Sequence, residues 1–286
     1  MGPIFAEALS RILKPKKVII YLLIVSLVSV SAAMLSKYFF GSSILKGQII
    51  TFTSCFLGLS YLWILGLPLV LWIIYQGLGL IAEEREAGTL LLLFSKPLSR
   101  PKIFWGKFLA LILAAILLAE CSLFLALSLM TFFVFPDVII ALNILRLFPY
   151  LNLYMLFITV CFASLSAGLS IWCKSRKKAM GGFLLFILII YLVLPLLKLI
   201  PEYNPAIIPK FSLGNWLKYL SYFDPSAHLS SVFAYFLNFA GELSLSPAMT
   251  WGTRVSPVVI LIIWLAVCLL LLGWALRNFN NLELPF

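Results

Sequence analysis

Charged residues along this chain fall in clusters, and long stretches with almost no polar interruption run between them. Six stretches reach the roughly 20 residues that a helix needs to cross about 30 Å of hydrocarbon. They run Val18 to Ser36, Gly47 to Ala82, Phe108 to Pro136 (broken only by Glu120), Leu147 to Cys173, Ala179 to Leu197 and Val255 to Leu276. Their apolar positions are continuous rather than alternating, which predicts membrane helices and excludes the strands of a transmembrane barrel. The second stretch is 36 residues long and carries Gly66 and Pro68 near its middle. Two spans and a turn need more than about 40 residues, so the pattern predicts a single helix kinked at the proline.

Two further amphipathic segments lie outside the six spans. Over residues 1–17, Ile4, Phe5, Ala8, Leu9, Ile12 and Leu13 recur at helical spacing while Glu7, Arg11 and Lys14 fall on the other face. That is the pattern of a helix lying on the inner leaflet. The order of a basic region, an apolar stretch and Ser31-Ala32-Ala33 also resembles a signal peptide. Its basic region would be unusually long and patterned, and its removal would leave five spans. In the segment 198–254, between spans five and six, Asp224-Pro225 is a strong helix start. His228, Leu229, Val232, Phe233, Phe236 and Leu237 then form an apolar stripe on a helix expected to end near Gly241. Upstream, Trp216, Tyr219, Tyr222 and Phe223 are aromatics of the kind that settle at a membrane interface. The segment is predicted to form one or two short helices that dip into the outer leaflet.

Composition agrees with the pattern. The chain is 63% hydrophobic and 11% charged, where a soluble domain carries about 25% charged residues. A soluble enzyme and a disulfide-stapled secreted domain are excluded. The predicted fold is all-α: one polytopic transmembrane domain over residues 1–286, with six spans and both termini on one side. Of the 21 Lys and Arg, 14 fall on the side of the termini and 7 on the other, four of the latter in the long segment 198–254. The richer side is therefore expected to be cytoplasmic. The net charge of +11 marks orientation and contact with anionic membrane lipids, and implies no nucleic acid.

Candidate chemistry is sparse. The five cysteines and the single histidine, His228, form no metal or redox motif, and no phosphate-binding loop or hydrolase motif occurs. No metal or cofactor is expected on this chain, and ATP, if used, would be bound by another polypeptide. Glu120 is a lone carboxyl at membrane depth, either a functional group or half of an interhelical hydrogen bond. Tyr75, Gln76 and Tyr191 are polar groups within spans that could line a path or serve packing.

The most informative segment is 83–101, between spans two and three, where three of the ten acidic residues fall within four positions. Gly88 can end the preceding helix, Thr89 can cap the next, and Pro97 forbids its continuation, leaving a short helix from Leu90 to Ser95. Such a helix is unstable alone in water, so its five large apolar residues must be buried against the protein itself or against a partner.

These residues resemble the loop after the second span of ABC-2 type permeases, the membrane subunits of type-2 ABC exporters. That loop reads approximately E-R-E-x-G-T-x-x-x-L-L-x-x-P-[IVL]-S-R, with G-K a few positions on. Glu84, Arg85, Glu86, Gly88, Thr89, Leu92, Leu93, Pro97, Leu98, Ser99 and Arg100 match, and Gly106-Lys107 supplies the last element. The helix here is more uniformly apolar than the family pattern, and the tail after Arg277 lacks a basic-acidic pair. The resemblance implies that the segment is a coupling helix seated in a groove of an ATPase subunit. Glu84, Glu86, Gly88, Thr89, Leu90, Leu92, Leu93, Phe94, Pro97 and Arg100 would make that contact. It also implies two ATPase subunits carrying ATP and Mg2+, a second permease copy or a paralogue, and export across a prokaryotic cell membrane. The alternatives are ATP-driven mechanical transmission to an outer partner without solute transport, and a secondary transporter.

Overall fold

The computed structural model describes residues 2–40, 45–90, 99–133, 138–172, 176–189, 225–238 and 255–281. Among these residues the regular elements are all helical. In chain order they are α1 (Gly2–Ile12), α2 (Pro15–Phe40), α3 (Leu45–Leu59), a π-helical turn (Ser60–Ile64), α4 (Leu67–Glu86), α5 (Arg100–Phe133), α6 (Val138–Leu145), α7 (Phe148–Trp172), α8 (Arg176–Leu188), α9 (Pro225–Asn238) and α10 (Pro257–Asn280). Five segments are long and apolar enough to cross a membrane: Pro15–Leu35, Phe52–Glu86, Arg100–Phe133, Phe148–Trp172 and Pro257–Asn280. They correspond to five of the six expected spans. The remaining one, Ala179 to Leu197, is helical through α8, and its continuation beyond residue 189, with Tyr191, lies outside the described residues.

The second span follows one continuous path, as its length requires, but the break is more than a proline kink. α3 passes into the π-helical turn, where the Leu65 N–H bonds the Ser60 carbonyl at 2.8 Å. The chain then turns at Gly66 before Pro68 opens α4 in its first turn. A Cβ on Gly66 would lie 2.4 Å from the carbonyl oxygens of both Tyr61 and Leu62. Only glycine fits there, because the displaced atoms would be backbone.

α4 is buried on nearly every side, packed against α7 most extensively and also against α5 and α8. A helix that is apolar all round belongs at the centre of a bundle. Between α4 and α7 the backbones come close at Gly77, where a Cβ would meet Ser166 Oγ at 2.0 Å. One turn further on, Ser170 Oγ donates to the Leu78 carbonyl at 2.9 Å and accepts from the N–H groups of Ile81 and Ala82 at 3.1 and 3.2 Å. Small residues and hydroxyls joining helices in this way are the usual means of tight packing in a membrane. α2 and α10, by contrast, are peripheral, each only 22% buried along its most apolar window. Ile19, Leu23 and Leu27 form an exposed stripe on α2, as do Ile262, Leu269 and Leu270 on α10.

α9 starts at Pro225, as the Asp224-Pro225 pair predicts, and its apolar stripe is buried within the bundle. Leu229, Ser230, Ser231, Val232, Phe233 and Leu237 are all buried, and the helix packs between α7 and α10. Phe233 stands edge-on to Tyr154 at 4.9 Å and lies 5.1 Å from Tyr61. Upstream, the aromatics Trp216 to Phe223, and Gly241 downstream, lie outside the described residues. The Cys268 thiol of α10 points at the Cys161 carbonyl of α7 from 4.0 Å.

Candidate functional site

α4 leaves the bundle through Glu83, Glu84, Arg85 and Glu86, and α5 enters it at Arg100. The two helix ends are joined by a buried ion pair, Glu84 with Lys107, whose ammonium also donates to the Leu80 carbonyl at 3.2 Å. Glu84 is 8% and Lys107 6% exposed. Lys107 lies one turn from Ile103 and Leu111, and Glu84 one turn from Leu80, all three neighbours buried. The helix periodicity that buries those neighbours carries both charges inward with them, and each compensates the other. Removing one partner of such a pair costs about 3–5 kcal/mol because the remaining charge stays buried.

A third helix joins this pair. α1 packs along the start of α5, with Ile4 and Ile12 buried and Ile4 seated at Gly106. Its Arg11 reaches the other Glu84 oxygen at 3.4 Å. The Arg11 side chain is 54% exposed, so this second contact is worth about 0–1 kcal/mol. It places α1 against α4 rather than anchoring the pair. α2 adds Lys17, which lies 3.4 Å from Gln76 Oε1 and 5.5 Å from the Tyr75 ring centroid. At the first residue of α5, the Arg100 guanidinium donates to the Asn280 carbonyl at the end of α10.

The loop residues expected to meet a partner divide into two groups. Glu86, Gly88 and Thr89 are exposed, and Gly88 has φ +68°, the left-handed conformation that ends a helix. Glu84, Leu90 and Arg100 are engaged within the chain itself: Glu84 with Lys107 and Arg11, Arg100 with Asn280, and Leu90 buried in the common core. The Thr89 hydroxyl turns back and donates to the Glu84 carbonyl at 3.4 Å. Leu92, Leu93, Phe94 and Pro97 lie outside the described residues.

Of the polar groups within spans, Tyr75 is partly exposed beneath Lys17 and Gln76 is buried, both toward the Glu84 end of α4. Glu120 is half-buried on α5 and shares a side-chain hydrogen bond with Asn152 of α7. Its distance from Lys107 along the helix is about 20 Å. It therefore belongs to the opposite half of the bundle, away from the Glu84 cluster.

Sequence reasoning did not single out Arg11 or Lys107 as partners of Glu84. The signal for Lys107 was its place in an apolar stripe, with Phe104 and Ala110 three residues to either side and Ile103 and Leu111 four. A lysine there must find a carboxylate.

No curated protein matches the chain. A family model described as an ABC-2 family transporter protein matches residues 3–281, nearly its whole length, and the chain, a multi-pass helical membrane protein with a loop of this pattern between its second and third spans, belongs to the ABC-2 transporter family.

Proposed function

We propose that this chain is the permease subunit of an ABC exporter, powered by ATP and Mg2+ on two separate nucleotide-binding subunits that dock on segment 83–101. The complete unit has six spans, both termini in the cytoplasm of a prokaryotic cell and a second permease copy or a paralogue. The observation that carries the reading is where the segment is anchored. It joins the ends of α4 and α5 that Glu84 and Lys107 hold together, with α1 packed along α5 and reaching Glu84 through Arg11. A displacement of the loop is therefore delivered to the central helix and to its long neighbour as one unit. ATP can shift such an equilibrium only by its differential affinity for the two states, so the mechanism needs a stiff connection at this point.

The residues take distinct roles. Glu86, Gly88 and Thr89, with Leu92, Leu93, Phe94 and Pro97, make the docking contact. Glu84, Leu90 and Arg100 fix the loop's two roots to the bundle. Copurification of the chain with its ATPase tests this: Leu92→Asp or Phe94→Asp is expected to abolish the complex while the permease still inserts, because a charge in a dry groove costs several kcal/mol. Retention of the ATPase by both variants would overturn the assignment.

A further inference from the structure

A half-open cleft lies between α1, α4 and α5 at the Glu84 end of the bundle, lined on one side by Ile4, Ala8, Ile12 and Leu80 and on the other by charged groups. Those charges are three cations, Arg11, Lys17 and Lys107, against three carboxylates, Glu7, Glu83 and Glu84. Gln76 also lines the cleft and is 8% exposed. Its Oε1 accepts from Lys17 at 3.4 Å, but its Nε2 has no hydrogen-bond partner. A buried amide donor left unmatched costs about 1–3 kcal/mol, so this group awaits an acceptor.

The level of the cleft identifies the acceptor's source. Lys17 stands at the foot of α2's apolar run, immediately before Val18, and lies over the Tyr75 ring. An ammonium directly below an apolar span sits where phosphate groups sit in a bilayer. The apolar wall of Ile4, Ala8 and Ile12 belongs to an amphipathic helix, which suits the start of an acyl chain. Because the lining is formally balanced, an anionic headgroup would leave the cleft with excess negative charge. A headgroup carrying its own ammonium would not.

We propose that this cleft is a binding site for a zwitterionic, amine-bearing phospholipid of the leaflet at the Glu84 end of the bundle. Its phosphate oxygens accept from Gln76 Nε2 and Lys17 Nζ, and its ammonium faces Glu83 and Glu7. The lipid fills the gap between α1 and α4 and so steadies α1 beside the Glu84–Lys107 pair. This site does not depend on the ATPase or on the direction of transport.

The test is native mass spectrometry of the full chain purified in detergent and incubated with phosphatidylethanolamine and phosphatidylglycerol of matched acyl chains. One phosphatidylethanolamine is expected to be retained in preference to phosphatidylglycerol. Gln76→Glu, nearly the same shape, and Lys17→Gln are each expected to weaken retention about tenfold, the scale of one charge-assisted hydrogen bond. Leu27→Ala, on the exposed stripe of α2, should leave retention unchanged. Size-exclusion profiles of the variants confirm that each remains folded. Equal retention of the two lipids would overturn the proposal, as would undiminished retention by folded Gln76→Glu. Displacement of the lipid by inorganic phosphate would show a free-anion site and would overturn it too.

Discussion

A single missing methyl group sets the distance between α4 and α7. At Gly77 a Cβ would lie 2.0 Å from Ser166 Oγ and 2.7 Å from its Cβ, so Gly77→Ala must push the helices apart and is expected to cost about 1–3 kcal/mol. Ser166→Gly in the same chain removes both atoms and should restore most of the loss in a detergent thermal-stability assay. A double variant no better than Gly77→Ala alone would show that the contact is not the cause. The Glu84–Lys107 pair calls for a different experiment at the same scale. Lys107→Met should destabilise by about 3–5 kcal/mol by stranding Glu84, whereas Lys107→Met with Glu84→Gln should cost clearly less than the two single changes added. Additive losses in denaturant titration would show that the charges do not act on each other. Gly88 was legible in the sequence because a glycine after an acidic helix end has one obvious use. Lys107 was not, because a lysine at the border of a span reads equally well as an orientation signal. Only the contact with Glu84 separates the two.

Whole elements were legible where their pattern alone decides them. Continuous apolar runs predicted α2, α5, α7 and α10, since nothing but a membrane helix accommodates such lengths. The break between α3 and α4 was half legible: Gly66 and Pro68 marked its place, while the π-helical turn before it depends on packing that a sequence does not display. The start of α9 was legible, but the surface its stripe packs against was not. Its apolar stripe is the same whether the helix lies on a membrane or among other helices, and Ser230 and Ser231 look like a polar face. Both serines are buried, and Ser230 meets its own helix by donating to the Ala227 carbonyl at 3.0 Å. A serine with its hydroxyl satisfied in this way costs little to bury. Ser170 is the opposite case, a hydroxyl spent on another element. Ser170→Ala should lose about 1 kcal/mol and loosen the last two turns of α4. Backbone hydrogen exchange over residues 78–86 is expected to accelerate while α5 is unaffected. Equal rates in both proteins would mean that Ser170 does not hold α4.

At the scale of the molecule, the two ends of the bundle differ in chemistry. The Glu84 end gathers α1, the root of α2, the ends of α4 and α10 and the start of α5 around one compensated charge cluster. The opposite end is closed by aromatic contacts among Tyr61, Tyr154 and Phe233. α4 and α7 run in the same direction, because Gly77 meets Ser166 and the residues one turn later meet Ser170. The polarity of one end therefore fixes that of the other. Hydropathy made the number of strongly apolar stretches legible, and the distribution of lysine and arginine suggested which end is cytoplasmic. Neither could reveal that the acidic loop is tied to an amino-terminal helix, since Arg11 and Glu84 are 73 positions apart. The orientation can be read from two exposed positions, Ser10 on α1 and Asn238 at the end of α9. On a background with all five cysteines removed, Ser10→Cys is expected to react with a membrane-impermeant maleimide only from the cytoplasmic side. Asn238→Cys should react only from the other side. Labelling of Ser10→Cys in intact cells would invert the orientation. Segment 83–101 would then face away from ATP, and the docking role would fall with it, whereas the phospholipid cleft would merely move to the outer leaflet.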